Sequence, residues 1–321
     1  MFMVMVVHAD FYMFDPPTAV DAQGAPMGTF GRILFESMTL CCVNVFVMIS
    51  GWFGIRSTVK GFCNFLTQAL FFTVGMYFLC ILCGLGEFNI HSFLLNIYID
   101  SRYWWFVIAY AGLYILAPVL NAFIESASTR RLAAVVIAFY IFQSYYGWFG
   151  IVAYFETGYS TLSFIGLYLL AALLRRYQRP AFKWGGVAYL LAISAHTAFY
   201  YFALSRNLDN YIGLYDSYCN PLTVMAAASL VCWASTWRLG ANKIINFVAA
   251  SAFAVYLFHM SPAFVHNVFN PVITDIYNAT SGLLTPLCIF IFLVLLFAIA
   301  VLLDQPRKWL WRHLLAPLFP K

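Results

Sequence analysis

Three histidines sit inside apolar runs of this chain, where an ionisable ring is costly and invites a functional explanation. His8 lies in MFMVMVVHADFYMF, His196 in SAHTAFYYF and His259 in VYLFHMSP. Imidazole takes or gives a proton near neutral pH and can carry a transferred group covalently. Asp10, two residues beyond His8, would point to a different helix face and is a poor partner for it. The alternative for each ring is a satisfied hydrogen bond between helices.

Other polar residues have spacings that suggest binding. Arg32 and Glu36 stand four apart, on one helix face and within salt-bridge reach, as an acceptor-binding or histidine-orienting pair or as a helix-positioning bridge. Asn44, Ser50 and Gly51 share the next stretch. There a Ser-Gly step permits close helix approach and also offers polar groups to a pantetheine arm or a phosphate. Arg175, Arg176 and Arg179 suit the phosphates of a coenzyme A donor, although membrane sidedness explains them equally well. Arg102 with Tyr103, Trp104 and Trp105 reads as an interfacial aromatic belt, or as a sugar-stacking surface.

These residues must be positioned by membrane helices. The 321-residue chain is 64% hydrophobic and 9% charged, with a mean hydropathy of +0.83. Soluble domains run closer to ~45–50% apolar and ~25% charged. About 20 apolar residues cross a bilayer, and the chain has room for about ten such spans. Nine full ones are expected at 31–53, 62–84, 100–119, 130–148, 158–174, 184–204, 219–236, 245–266 and 281–303. Pro118, Pro180 and Pro306 are expected at span ends, where a lost N–H matters least. The first run is too short to cross alone, so it is expected to be the outer part of a first helix whose inner part is missing. No internal repeat or second domain stands out, and a single membrane domain over 1–321 is expected.

Charge placement gives orientation. Of the 17 Lys and Arg, all but Arg32, Arg102 and Arg206 fall in alternate gaps between spans, while most acids fall in the others. By the positive-inside rule the basic side is cytoplasmic and both termini face it. The net charge of +5 therefore reflects sidedness and no nucleic-acid footprint. The eight cysteines lie mostly in apolar runs and read as small hydrophobes. Cys80 and Cys83 have no second pair or histidine cluster at zinc spacing, and no metal is expected.

Five stretches carry a resemblance. They are VVHADF at the start, VNVFVMISGWFGI at 43–55, YWWFVIAYAGLYILAPVLNAFI at 103–124, GYSTLSFIGLYLLAALLRRY at 158–177 and SAFAVYLFHMSP at 251–262. In order and spacing they resemble the membrane-bound acyltransferase 3 family, polytopic enzymes that O-acylate bacterial surface glycans and related acceptors. The resemblance covers essentially the whole chain and implies an all-α bundle of ten transmembrane helices. It also implies transfer of an acyl group, commonly acetyl, from a cytoplasmic thioester such as acetyl-CoA to a hydroxyl.

On that resemblance His8 is the expected base and His259, in YLFH, a further site residue. Arg32 and Glu36 join them as catalytic candidates, and Arg102, Trp105 and His196 as acceptor-side ones. The family places an arginine about ten residues before the histidine that His8 matches, and the sequence starts too late to include it. A paired-arginine motif of the sugar-transferase branch is represented only by Arg56 and Lys60. The expected setting is a bacterial inner membrane, with an acyl-CoA donor, a glycan or lipid-linked acceptor, and no nucleic acid. The competing classes are a transporter or flippase of a polar or lipid-linked substrate, and an inactive paralogue.

Overall fold

The computed structural model describes residues 1–208, 213–238 and 240–319, without the side chains of Ser101 and Arg102. The expectation placed on the Arg102 side chain therefore lies outside what is described, as do the charges of Asp209 and Lys321, which were counted in the expected sidedness. Among those described there is helix and connecting chain and no strand. Six helical stretches are long and apolar enough to cross a membrane: Pro26–Phe53, Val59–Leu82, Ile90–Ser126, Thr129–Phe149, Pro180–Ser205 and Leu284–Leu318. Phe2–Phe14 and Pro221–Ala234 are shorter apolar stretches. Large side chains such as Ile137, Ile141, Leu295 and Leu302 stay exposed on these helices, as expected where lipid is the solvent.

Helix starts follow local chemistry. Thr58, Asn89, Ser128, Ser160, Asn220 and Asn242 each accept a backbone N–H of the first turn they precede. This satisfies donors that a helix leaves orphaned. Pro221 then occupies the first turn, where its missing N–H costs nothing.

The spans are less regular than hydropathy suggests. The expected 31–53 span is two helices, Pro26–Thr39 and Cys42–Phe53, parted at Leu40 and Cys41. Just before the break, the Thr39 hydroxyl donates to the Phe35 and Glu36 carbonyls, a back-bond that bends helices. The expected 245–266 span is broken into Lys243–Ala249, Ala252–His259 and Pro262–Phe264. The amphipathic helix Ile90–Tyr98 appears where no element was expected. Pro118 and Pro306 lie inside the helices Ser101–Ser126 and Leu284–Leu310 and not at their ends, which membrane helices tolerate when neighbours satisfy the freed carbonyl. Three segments, Gln143–Phe149, Val265–Phe269 and Trp311–Leu315, are π-helical.

By contacts the chain forms two compact units, the first comprising Met1–Ala9, Thr58–Ile108 and Leu239–Lys321. In it, Phe2–His8 and Ala252–His259 both pack on Leu284–Leu310, and Ala252–His259 also packs on Val59–Leu82. Phe2 meets Phe290 edge-on, and Trp104 and Phe106 meet Tyr256.

The second unit comprises Asp10–Ser57 and Ala109–Arg238. Its main packings are Gly185–Ser205 on Pro221–Ala234 and Cys42–Phe53 on Thr161–Tyr177. The latter crossing needs Gly51, because a Cβ there would lie 2.5 Å from the Tyr168 carbonyl oxygen. Gly54, at φ +79°, then ends the helix in a conformation other residues resist.

Candidate active site

The first unit brings His8 and His259 together. Each is the last residue of its helix, and His8 Nδ1 lies 2.9 Å from His259 Nε2. His259 is fully buried, with Phe269 and Tyr256 beside its ring. Its Nδ1 lies 2.5 Å from the Val255 carbonyl, one turn back on the same helix. A carbonyl only accepts, so His259 Nδ1 carries the proton and Nε2 of the neutral ring is an acceptor. His8 Nδ1–H then donates to it. The unprotonated nitrogen of the pair is His8 Nε2, the group a general base needs.

Trp105 belongs to this unit and is partly buried, with its ring edge-on to Phe106. The fully buried Trp104 beside it is a packing residue against Tyr256.

Arg32 and Glu36 lie in the second unit, and the expected pairing between them is not made. Arg32 binds Asp10 at 2.7 Å and donates to the Asp15 carbonyl. The turn after Ala9 carries Asp10 to the guanidinium, and a chain-reversal contact displaces the neighbour four residues along. Glu36 is 2% exposed, and its Oε2 has no hydrogen-bond partner. Asn44 is fully buried and donates to the Tyr218 carbonyl at 3.0 Å, while its Oδ1 is unpartnered. On the same segment as Tyr218, Asp216 also has a buried oxygen without a partner, and burial pushes its carboxyl up to about 6.

His196 is packed and bonded on both sides. Its ring stacks on Tyr215 at 4.3 Å, with Nδ1 3.3 Å from Ser37 Oγ and Nε2 3.3 Å from the Tyr215 carbonyl. In this position it ties the segment before Pro221 to the helix Pro26–Thr39.

A cavity of about 530 Å³ opens at the ends of Cys42–Phe53, Ser101–Ser126 and Thr161–Tyr177, with Arg56, Arg175 and Arg176 in its lining. One wall is fixed by the Tyr168 hydroxyl, which accepts from Ile55 N–H and donates to Asn121 Oδ1. Arg175 donates to the Trp52 carbonyl at 2.7 Å. Arg176 is spent on the carbonyls of Ala127 and Ile124, so it ties down a helix end. Arg179 does not line the cavity and stacks over Tyr177. Nor does Ser50 line it, because its hydroxyl bonds that of Tyr110 at 2.9 Å.

The Val255 carbonyl and Asp216 escaped notice in the sequence, as did a buried charge group in Leu284–Leu310. There the fully buried Asp304 pairs with the buried Arg307 and the partly buried Lys308. An acid inside the last apolar run was the available signal for that group.

Comparison with known proteins gives one assignment. Residues 1–304 match the family model described as an acyltransferase domain. No curated protein and no solved structure matches the chain. The match spans nearly the whole sequence and the helices are those of a membrane protein; the chain belongs to the acyltransferase 3 family.

Proposed function

We propose that this membrane acyltransferase moves an acyl group, acetyl from acetyl-CoA foremost, to a hydroxyl of a cell-surface glycan or its lipid-linked precursor. The observation that carries the reading is the line Val255 carbonyl, His259, His8. In it His8 is the base, and His259 is a positioning residue that holds His8 in the useful tautomer. His8 Nε2 takes the hydroxyl proton as the acceptor oxygen attacks the thioester carbonyl. The tetrahedral intermediate collapses, the C–S bond breaks, and the imidazolium returns its proton to the leaving thiolate. Every atom and proton is accounted for without a metal.

The cavity beside Arg175 is the donor site in this reading. Its volume is in the range of small-molecule sites, and Arg175, with Arg56, suits phosphate recognition. The charge bias supports a cytoplasmic position for that mouth in an inner membrane, with both termini on the same side.

The test is release of labelled acyl groups from acyl-CoA by the purified protein in lipid vesicles, supplied with glycan extract. Native protein is expected to turn over, and His8→Ala to lose about 10²–10⁴-fold. Arg175→Ala is expected to raise KM for the donor with little change in kcat. A folded native protein without turnover would reject the reading in favour of a transporter or an inactive scaffold.

A further inference from the structure

Arg56 joins the lining of the Arg175 cavity from a turn, residues 52–56, at the end of the helix Cys42–Phe53. Gly54 N–H still bonds the Ser50 carbonyl in helical fashion. Beyond that, side chains take over the backbone. Arg175 donates to the Trp52 carbonyl at 2.7 Å. The Ile55 N–H donates to the Tyr168 hydroxyl at 2.8 Å, and the Ile55 carbonyl accepts from Asn121 Nδ2 at 3.0 Å. The Tyr168 hydroxyl donates in turn to Asn121 Oδ1 at 2.7 Å, which closes a ring of three bonds around Ile55. Next along the chain, the Arg56 carbonyl accepts from the Tyr114 hydroxyl at 3.2 Å.

The four gripping side chains come from two helices at matching intervals. Tyr114 and Asn121 lie seven residues apart on Ser101–Ser126, and Tyr168 and Arg175 seven apart on Thr161–Tyr177. Seven residues are close to two helical turns, so the members of each pair share a face. Fixing an irregular stretch of backbone opposes conformational entropy, and here the fixing precedes any ligand. A turn ordered in advance loses less freedom on binding. Neither Tyr114 nor Tyr168 lines the cavity, and Asn121, which does, has both ends of its amide engaged.

We propose that Tyr168, Asn121 and Tyr114 are positioning residues for the anionic end of the acyl donor, acting through the turn that carries Arg56. This role rests on the reading of the cavity as the donor site. A clamp that served the fold alone would change the amount of folded protein and leave its affinity for the donor in place.

The experiment is equilibrium binding of labelled coenzyme A to the full chain in detergent, with melting temperature measured alongside and acetyl-CoA kinetics in vesicles. Tyr168→Phe and Tyr114→Phe each delete one hydroxyl of the clamp. Tyr110→Phe is the control, because its hydroxyl bonds Ser50 at 2.9 Å and not the turn. Each clamp variant is expected to weaken binding by folded protein about two- to tenfold, the span that one hydrogen bond covers. It should also raise KM for acetyl-CoA more than it lowers kcat. Tyr168→Phe combined with Asn121→Ala should bind no worse than the worse single variant, as coupled members of one network do. The Tyr114 hydroxyl is exposed, so Tyr114→Phe carries the test if Tyr168→Phe fails to fold. Native affinity in the folded tyrosine variants, or equal weakening by Tyr110→Phe, overturns the proposal. Coenzyme A binding that Arg175→Ala leaves unchanged overturns the donor reading itself, and the positioning role with it.

Discussion

Asp304 Oδ1 is held by both Nε and Nη2 of Arg307, each at 2.8 Å, where the long apolar run of Leu284–Leu310 gives way to its polar last turns. Lys308 Nζ lies 3.3 Å from the other carboxyl oxygen and 2.6 Å from Ser251 Oγ, and Arg307 also reaches Asn64. One buried acid thus serves two bases and links three elements of the first unit. Removing the acid strands two cations, which costs about 3–5 kcal/mol where a buried pair is broken. Asp304→Asn is therefore expected to lower thermal stability in detergent sharply. Asp304→Leu with Arg307→Met should recover part of the loss. Native-like melting of Asp304→Asn would mean that the charges are solvated.

The crossing of Cys42–Phe53 with Thr161–Tyr177 depends on the missing side chain of Gly51. A methyl group there meets the Tyr168 backbone, which cannot rotate aside. Gly51→Ala is expected to cost about 1–3 kcal/mol, as overpacking does. Because Gly51 also lines the Arg175 cavity, donor affinity should fall with it. Chemical unfolding and donor KM check the two effects separately.

Asp216 sets a pH dependence of known sign. In the folded chain its carboxyl keeps its proton to about 6, whereas an unfolded aspartate releases it near ~3.9. Between those values the folded state binds more protons, so this contribution is complete below the lower value and is lost as pH rises through the upper one. Asp216→Asn should flatten the stability profile from about pH 4 to 6 and raise stability at pH 7 in ligand-free protein. An unchanged native-minus-variant difference across that window would refute the assignment.

His259 is expected to act through His8. His259→Ala should lower kcat less than His8→Ala does, leave donor KM unchanged, and displace the limb of the pH–rate profile that reports the base. A purely structural histidine would lower the amount of folded enzyme and leave that profile in place.

Much of this was legible in the residue order, and the omissions share a cause. Hydropathy marks apolar runs because burial in lipid acts residue by residue. Hydropathy averages over a window, however, and cannot register the two-residue break at Leu40 and Cys41, where Thr39 competes for backbone carbonyls. His8 and His259 were each identifiable as costly rings inside apolar runs, but the bond between them joins positions 251 apart. Local spacing misled for Arg32. Glu36 is its helical neighbour, yet Asp10 arrives from a preceding turn and takes the guanidinium. Asp216 lay unmarked among the other acids as a site candidate, because its burial comes from elements far away in the chain.

The π-helical segments bear on how such a chain tolerates changes of length. A π turn closes its hydrogen bond one residue later than an α turn, so all that follows is rotated by about one residue, roughly 100°. Val265–Phe269 lies between the His259 helix and Asn270–Ala279. Deleting one residue there would convert the π turn to an α turn and rephase one helix face, where the same deletion inside Leu284–Leu310 would misplace Asp304, Arg307 and Lys308 together. The three π segments are thus the membrane-helix equivalent of loop tips, places where single-residue gain or loss is absorbed by rotation and the span stays unbroken.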